Sequence, residues 1–457
     1  MALSLVSTAC ISARRTPNLE HIFAPARARS GKRPVIVIPG ILGTELINPK
    51  TGETVWPSAF RTSQEGLPIS VNLEANHDDL VPGKILETVR LARLVPEIYV
   101  YRDLLDALRR FAGYRDGNWD NPGADGDRDT FYVFPYDWRR DNVANARELV
   151  QRMQRLKQRL QRPDLKFNIV AHSMGGLIAR YAAMYGDADL PPDDVAIRPT
   201  WQGAAHISKI VMIGTPNEGS SDAFATLVEG YSITEGLRRR VPLLNKLTAA
   251  DAVRTPSVFQ LMPHRAAVKF LDENLQPIDV DLYDTAVWKR YGWGAINSAE
   301  FRGQYNGNVE ELDAYFAATL KRTRRFHESL DAVEGSESPV GLLAIGGDCE
   351  ETLSAPVILR DEKKNRWLTL IRPREFRTSA GVKMSKQKVT DAMYAPGDGR
   401  VTRASLLGEN LIKSRDRVTG FTLSRYAVFG CDLHGQLPRN KTLQDNALTA
   451  IVSEAMN

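Results

Sequence analysis

One serine of this chain lies where a predicted strand turns sharply into a predicted helix. Ser173 stands at the centre of residues 171–175, Ala-His-Ser-Met-Gly. Residues 167–170 before it form an apolar run of strand type, and residues 177–183 after it form a run of helix type. Such a turn exposes the serine hydroxyl at the carboxyl end of a strand, with the helix N-terminus directed at it. The pattern predicts a serine nucleophile that forms a covalent acyl intermediate.

This turn is the nucleophile elbow of α/β-hydrolases, which requires small residues two positions before and two positions after the serine. Those positions hold Ala171 and Gly175, so an alanine replaces the usual first glycine. Alanine still lacks bulk, and the departure is mild. A buried serine in an ordinary strand-to-helix turn is the alternative interpretation of the pentapeptide taken alone. The other catalytic groups decide between the two.

One of the seven histidines is placed to act as the base. In α/β-hydrolases the order along the chain is serine, acid, histidine, and the histidine follows the last core strand. Only His434 lies beyond the last predicted strand, residues 424–429. His172 is adjacent to the serine but is expected to face away from its hydroxyl on the elbow. We therefore predict His434 as the general base.

Two aspartates compete for the role of the acid. Asp348 directly follows the predicted strand at residues 339–345, where a turn or capping role explains it equally well. Asp398 lies between Gly397 and Gly399, and glycines allow the chain to fold back and direct one carboxylate inward. We favour Asp398 as the acid.

Together these residues predict acyl transfer. His434 removes the proton of the Ser173 hydroxyl, and Asp398 holds the histidine tautomer and stabilises the imidazolium ion. Attack on an ester carbonyl creates an oxyanion, which two backbone N–H groups must stabilise. We predict that Met174 and Ile41 supply them. The chemistry requires neither a cofactor nor a metal ion, and neither is expected.

Six apolar segments have the length and composition of buried strands, and helical patterns alternate with them. This alternation predicts an α/β protein with a mostly parallel sheet and helices on both faces. The predicted strands are residues 34–39, 130–134, 166–170, 208–213, 339–345 and 424–429. Apolar residues recur at helical spacing over residues 101–111 and 142–162, the second with Asp141 or Asn142 as N-cap.

Three polar or irregular stretches interrupt this alternation. Insertions at the carboxyl ends of strands lie above the active site, where lids and substrate pockets are built. The predicted organisation is an N-terminal tail or tether at 1–33, a first core part at 34–216 with a lid insertion at about 48–96, a cap insertion at 217–338, and a second core part at 339–457 with an insertion at about 350–390.

The composition is that of an ordinary globular protein. The 457 residues are 43% hydrophobic and 25% charged, with a net charge of only +5. No nucleic-acid motif is present, so a nucleic-acid partner is not expected. The basic runs at 238–240 and 321–325 are interpreted as solvated helix faces, with adhesion to anionic lipid as the alternative. No apolar run reaches the length of a membrane span.

The three cysteines form neither a disulfide framework nor a zinc site. Cys349 and Cys431 each follow a predicted strand, so a bridge requires those strands to be neighbours. Two free thiols are the favoured interpretation.

Cys10 leaves two interpretations of the N-terminus open. Residues 3–10 resemble the end of a bacterial lipoprotein signal with Cys10 as the acceptor, which would place the protein in the periplasm. However, no basic segment precedes this stretch, and its apolar part is short. An unstructured tail with a stray cysteine, in a cytoplasmic protein, is the alternative. Residues 14–33 are predicted to form a tether in both cases.

Several motifs occur in the order typical of the lecithin:cholesterol acyltransferase family, which this chain resembles over about residues 34–434. They are residues 35–46, residues 135–139, the elbow, residues 214–220 and residues 397–399. The chain departs from the family at Ala171 and at Arg400, where a threonine often follows the acidic turn. It also has no counterpart of the cysteine pair of the vertebrate lid within residues 48–96.

The resemblance implies a lipid-directed α/β-hydrolase, such as a lipase, a phospholipase or an O-acyltransferase. It also implies a cap over residues 217–338 and a mobile lid that contains Trp56. Lid and cap, with Trp56 and residues 241–247, are expected to form a substrate entrance that meets a membrane or micelle surface; the alternative is that these residues simply pack the cap against the core. Asp137 and Arg139 are expected to pair beneath the site. An esterase or amidase for a soluble substrate is the alternative, and a catalytically silent binding protein is a weaker one. The oligomeric state is left open.

Overall fold

Seven parallel strands form a central sheet. In chain order they are β1 Val35–Ile38, β2 Arg115–Asp116, β3 Thr130–Val133, β4 Phe167–His172, β5 Ile207–Ile213, β6 Gly341–Gly346 and β7 Leu423–Val428. Across the sheet the order is β7-β6-β5-β4-β1-β3-β2. Every ladder between neighbours is parallel, which confirms the predicted α/β class.

The structure is a computed structural model, and it describes residues 16–57, 67, 80–89, 98–232, 246–305, 308–332, 338–413 and 423–453. Several features predicted from the sequence lie outside these residues. They are Cys10, the basic run at 238–240, residues 241–245 of the predicted lipid-facing stretch, and lid residues 58–66, 68–79 and 90–96.

The register of the ladders brings the ends of the central strands to one edge of the sheet. Ile213, the last residue of β5, pairs with His172 at the end of β4 and with Ile345 near the end of β6. All six predicted strands are found, with boundaries that shift by one or two residues. The edge strand β2 was not predicted, because its two residues are charged and exposed and carry no apolar pattern.

Helices cover the sheet and build the insertions. Among the described residues, the α-helices are α1 Leu19–Ile22, α2 Ala24–Ala28, α3 Arg102–Arg110, α4 Asn142–Arg159, α5 Met174–Tyr185, α6 Ser221–Glu229, α7 Ala249–Val253, α8 Pro256–Phe259, α9 Thr285–Tyr291, α10 Ala299–Gly303, α11 Val309–Leu330, α12 Lys386–Met393, α13 Arg403–Leu407, α14 Glu409–Lys413 and α15 Lys441–Val452. Short 3₁₀ helices cover Gln202–Ala205, Arg265–Ala267, Ala295–Asn297 and His434–Arg439. None of the helices in the described ranges is long and apolar enough to cross a membrane.

Helix α4 begins where the sequence predicts. The carboxylate of Asp141 accepts hydrogen bonds from the N–H groups of Val143 and Ala144, so Asp141 is the N-cap rather than Asn142. The helix ends three residues before the predicted boundary, at Arg159.

Smaller sheets lie outside the central one. Three antiparallel strands, Thr44–Ile47, Thr54–Trp56 and Val81–Ile85, follow β1. A four-stranded sheet joins the cap to the late insertion, in the order Pro277–Ile278, Phe270–Leu271, Val357–Asp361 and Arg366–Leu370. Four two-stranded sheets complete the set in the described residues: Thr88–Val89 with Ile98–Tyr99, Tyr231–Ser232 with Lys246–Leu247, Glu350–Leu353 with Tyr394–Gly397, and Phe376–Arg377 with Lys383–Met384.

The segment predicted as a tether is packed against the core in its described part. Leu19 and Phe23 are buried in the cluster that includes residues of α3 and α15. Further on, the ammonium group of the buried Lys32 lies 2.6 Å from the Asp129 carboxylate. The prediction of a tether is therefore wrong for residues 16–33, because two apolar side chains of α1 and its C-terminal cap find a place in the core.

The expectation of free thiols is also wrong for two of the cysteines. Cys349 and Cys431 form a disulfide with their Cα atoms 5.1 Å apart. The physical reason is the sheet order, because β6 and β7 are neighbours and each cysteine follows one of them.

Candidate active site

The nucleophile elbow has the backbone conformation that the sequence predicts. Ser173 lies between β4 and α5 with φ 53° and ψ −127°, a strained conformation for a residue that is not glycine. The turn leaves little room. A Cβ atom on Gly175 would lie 2.6 Å from the carbonyl oxygen of Pro39, and one on Gly40 would lie 2.8 Å from the Ser173 Cβ. Ala171 fits as a buried residue of β4.

The structure brings Ser173, His434 and Asp398 together. The Nε2 atom of His434 lies 2.9 Å from the Ser173 hydroxyl oxygen, and its Nδ1 atom lies 2.8 Å from a carboxylate oxygen of Asp398. All three side chains are buried. A neutral imidazole placed in this way carries its proton on Nδ1 and presents an unprotonated Nε2 to the hydroxyl.

Backbone donors fix the Asp398 carboxylate. Its second oxygen accepts hydrogen bonds from the N–H groups of Arg400 and Val401, at 3.0 and 2.8 Å. Gly399, at φ 87°, makes the turn, and its N–H donates to Thr352. Asp348 lies elsewhere and forms an ion pair with Arg403 at 3.8 Å.

The two predicted oxyanion donors lie on either side of the elbow. Met174 is the first residue of α5, and Ile41 belongs to the tight turn after β1, in which Leu42 has φ 63°. In the described part of the chain, neither N–H donates to a protein acceptor. Neither N–H is thus already used by a described protein acceptor, as the predicted role requires.

Three buried aromatic side chains hold this turn after β1. The indole N–H of Trp56 donates to the carbonyl of Leu42, and that of Trp138 donates to the carbonyl of Thr44. The hydroxyl of Tyr136 donates to the carbonyl of Pro39. The two indole rings also pack edge to face with their centroids 5.4 Å apart.

The expectation that Trp56 faces lipid is wrong. Trp56 is completely buried, because its ring packs on Trp138 and its N–H is used by the turn. Its contacts make it a support of the turn that carries Ile41.

Sequence reasoning missed two residues that lie behind the catalytic groups. The N–H of Gly40 donates to the hydroxyl of Tyr101 at 2.8 Å, and this hydroxyl lies 2.8 Å from His172 Nδ1. The other ring nitrogen of His172 lies 3.2 Å from the carbonyl oxygen of His434. Both ring nitrogens of His172 are thus occupied, and neither is directed at Ser173. Burial lowers the pKa of His172 to about 3. No signal in the sequence connects Tyr101 to these groups.

The motif at 135–139 contains a buried ion pair that acts as a rigid structural support. The guanidinium group of Arg139 donates two hydrogen bonds to the Asp137 carboxylate at 2.9 and 2.8 Å, which confirms the predicted pair. Both residues are buried, and such a two-point contact fixes the orientation of both groups.

The motif at 214–220 closes the other side of the site. Gly214 has φ 58°, which favours glycine, and a Cβ atom on it would lie 2.8 Å from a methyl group of Leu437 and 3.2 Å from both Asp398 and His434. The carboxylate of Glu218 accepts hydrogen bonds from the backbone N–H groups of Asn410 and Leu411, which ties this motif to α14. No group of three or more histidine, cysteine or acidic side chains in the described ranges could hold a metal ion.

A known protein family matches part of this chain. The model of the lecithin:cholesterol acyltransferase family matches residues 118–315, a segment that contains the elbow and the motif at 214–220. The resemblance predicted from the sequence is thereby confirmed. A search of the curated proteins found no match.

Three solved structures are similar to this chain. The crystal structure of a Tle4–Tli4 complex aligns at a TM-score of 0.51 and 15% identity, over 93% of this chain and 99% of that one. Staphylococcus hyicus lipase aligns at a TM-score of 0.33 and 11% identity, over 96% of this chain and 95% of that one. The mature lipase BlEst2 of Bacillus licheniformis aligns at a TM-score of 0.33 and 13% identity, over 92% of each chain. With its parallel sheet and its elbow, this chain has the α/β-hydrolase fold.

Proposed function

We propose that this protein is a serine-dependent acyl hydrolase or acyltransferase that acts on lipid esters. The observation that carries the proposal is the chain of contacts from Asp398 through His434 to Ser173, at 2.8 and 2.9 Å. The strained backbone of Ser173, at φ 53°, supports the same role, because unusual backbone conformations are retained where function requires them.

The proposed reaction proceeds through an acyl-enzyme. His434 Nε2 takes the Ser173 proton as the oxygen attacks the ester carbonyl, and Asp398 stabilises the resulting imidazolium ion. The N–H groups of Ile41 and Met174 bind the oxyanion, each worth about 3–4 kcal/mol of transition-state stabilisation. The proton on Nε2 then passes to the leaving alcohol. Water or a second alcohol, deprotonated by the same histidine, releases the acyl group and regenerates Ser173.

The preference for lipid esters is supported by the match to the lecithin:cholesterol acyltransferase family. Hydrolysis and acyl transfer differ only in the nucleophile of the second step, so a single experiment addresses both. Turnover should be measured on a series of esters of increasing acyl length, with and without a long-chain alcohol. We expect turnover to rise with acyl length, and an ester of the added alcohol to appear if the enzyme is an acyltransferase. Equal or higher turnover on acetyl esters would favour a soluble-ester hydrolase.

We further propose that the protein works in an oxidising compartment such as the periplasm. The disulfide between Cys349 and Cys431 supports this location, since structural disulfides persist in such compartments and are rare in the cytoplasm. Thiol titration of denatured protein isolated from its native host should find the two cysteines oxidised. Two reactive thiols would instead favour the cytoplasm.

A further inference from the structure

One segment of this chain carries a strong positive charge over a short length. Residues 354–393, which we term the basic module, contain ten Lys or Arg and four Asp or Glu, a net charge of +6. The whole chain carries +5, so the remaining residues sum to −1. The net charge of the module thus exceeds that of the whole chain by one.

Six basic side chains of this module are exposed and have no acidic partner. No carboxylate of the described residues forms an ion pair with any of them, whereas the carboxylates of Asp361, Glu362 and Glu375 already pair with other basic residues of the module. The six are Lys363, Lys364, Arg374, Arg377, Lys386 and Lys388.

The basic run at 321–325, in contrast, has acidic partners. Within α11, Lys321 pairs with Asp193, Arg322 with Asp141 and Asp189, and Arg324 with Asp281. That run is neutralised by the protein itself, and the basic module is not.

The small hairpin of the module carries an unfavourable arrangement. Arg377 and Lys383 lie directly opposite each other on two antiparallel strands, where like charges are destabilising. Val382 beside them is 53% exposed. Glu375 lies 3.2 Å from Lys383 and offsets part of this repulsion, so an anionic surface would chiefly compensate Arg377 and cover the valine.

The module is attached at the edge of the sheet that holds the site. The strands Glu350–Leu353 and Tyr394–Gly397 pair with each other at its base, and Asp398 directly follows the second strand. The base of the module therefore lies next to the acid of the proposed site.

We propose that the basic module binds an anionic lipid surface. The charge alone would suit either a membrane or a nucleic acid. We choose a membrane because of the lipid-directed activity proposed above. Each basic residue near an anionic bilayer contributes about 1 kcal/mol, so a few exposed side chains suffice for measurable adhesion.

The test uses full-length Ser173→Ala protein, which does not consume the lipid, and sedimentation with phosphatidylglycerol or phosphatidylcholine vesicles. We expect binding to phosphatidylglycerol only, weakened by added salt and reduced about 30-fold or more by Lys363→Glu/Lys364→Glu. The matched control is Arg155→Glu/Arg198→Glu, the same charge change at two exposed positions outside the module, which should bind like the parent. Equal binding to both lipids, equal loss in the two variants, or binding to DNA without binding to vesicles would overturn the proposal. A failure of ester hydrolysis in the wild type would count against the proposed function alone.

A second inference concerns Tyr101 and His172. Since a carbonyl oxygen only accepts hydrogen bonds, His172 must carry its proton on Nε2 to donate to His434. Its Nδ1 atom is then the acceptor of the Tyr101 hydroxyl, and the oxygen of that hydroxyl accepts the Gly40 N–H. One continuous series of hydrogen bonds thus runs from the residue before Ile41 to the backbone of His434.

A second link supports the same connection. Tyr101 is the N-cap of α3, and Asp103 in its first turn pairs with Arg439 of the 3₁₀ helix that begins at His434. The start of α3 therefore contacts both the turn that bears the predicted oxyanion donor and the segment that bears the predicted base.

We infer that Tyr101 and His172 are positioning residues that align Ile41 with His434 in the proposed reaction. This inference rests on the proposed function. Because burial keeps His172 neutral, with a pKa of about 3, the direction of the hydrogen bonds does not change over the working range of pH.

The test compares Tyr101→Phe with Tyr114→Phe. Both hydroxyls belong to buried rings of the same core cluster, but that of Tyr114 donates to Arg33, away from the site. With enzyme counted by fluorophosphonate labelling, we expect kcat on a soluble ester to fall about 10- to 100-fold in Tyr101→Phe, with KM unchanged, and to stay constant in Tyr114→Phe. Affinity for a boronic acid that mimics the tetrahedral intermediate should fall by the same factor. Equal effects of the two substitutions, or a change in KM alone, would overturn the inference.

A measurement without substrate keeps the second inference testable if the wild type hydrolyses no ester. The ¹⁵N resonances of His172 should report the Nε2-protonated neutral form at every pH between about 5 and 8. Titration of His172 near its ordinary pKa would contradict the series of hydrogen bonds directly.

Discussion

Cys349 and Cys431 join the two chain segments that lie beside the acid and the base. Cys431 precedes His434 by three residues, and a Cβ atom on Gly347, two residues before Cys349, would lie 3.6 Å from the Asp398 Cβ. The bond closes a loop with a sequence separation of 82 residues. The bond therefore connects the two segments that hold His434 in contact with Asp398.

Loss of this bond should therefore reduce both stability and activity. We expect Cys349→Ser/Cys431→Ser to lower the free energy of unfolding by up to about 4 kcal/mol, as loop closure predicts for this length. We also expect a lower kcat at temperatures where the variant remains folded. Chemical denaturation and ester turnover measure the two effects. Cys10→Ser serves as the control for removal of a thiol, and an identical change in that variant would refute the explanation.

Asp398→Asn should be far more damaging than Asp348→Asn. The amide cannot stabilise the imidazolium ion of His434 and favours the wrong tautomer, so we expect kcat to fall by about 10⁴-fold. Asp348 pairs with Arg403 near the surface, and its substitution should change kcat little. Steady-state kinetics of the two variants decide the matter, and a larger effect at Asp348 would show that the acid is misassigned.

Substitution of Trp56 should affect all substrates alike. Because its indole N–H holds the carbonyl of Leu42 next to Ile41, Trp56→Phe should lower kcat equally on a soluble ester and on aggregated lipid. Trp119→Phe is the matched control, since it also removes an indole N–H bond to a backbone carbonyl, that of Val133, away from the turn. A selective loss on aggregated lipid would restore the interfacial role that the sequence suggested for Trp56.

Acid should destabilise the fold below the ordinary pKa of histidine. Burial lowers the pKa of His172 and of His327 to about 3, so between about pH 6.5 and 3 only the unfolded chain binds these protons. Stability is therefore lost as the pH falls through this window, by at most about 1.4 kcal/mol per pH unit for each histidine. Thermal unfolding of the wild type and His327→Gln from pH 8 to 4 measures the slope. The variant should show a shallower slope, and an unchanged slope would contradict the assignment.

The sequence predicts the catalytic groups because local rules constrain them strongly. The elbow requires small residues around Ser173, the acid needs a turn that glycines permit, and His434 is the one histidine after the last strand. Contacts between distant segments were not predictable in this way. The disulfide depends on β6 and β7 being neighbours, and the Tyr101–His172 contact joins residues 71 positions apart. The burial of Trp56 depends on its partner Trp138, which no periodicity reveals.

The proposed reaction depends most directly on Ser173 as the nucleophile. A fluorophosphonate reacts covalently with an activated serine, and its labelling can be compared between the wild type and Ser173→Ala together with ester turnover. Because Ser173 is buried at the turn and contributes only a small hydroxyl, the variant should keep its thermal unfolding temperature. We predict labelling of the wild type alone and a loss of kcat of up to about 10⁶-fold in Ser173→Ala. Labelling of the folded variant at the rate of the wild type, or undiminished turnover, would contradict the central claim.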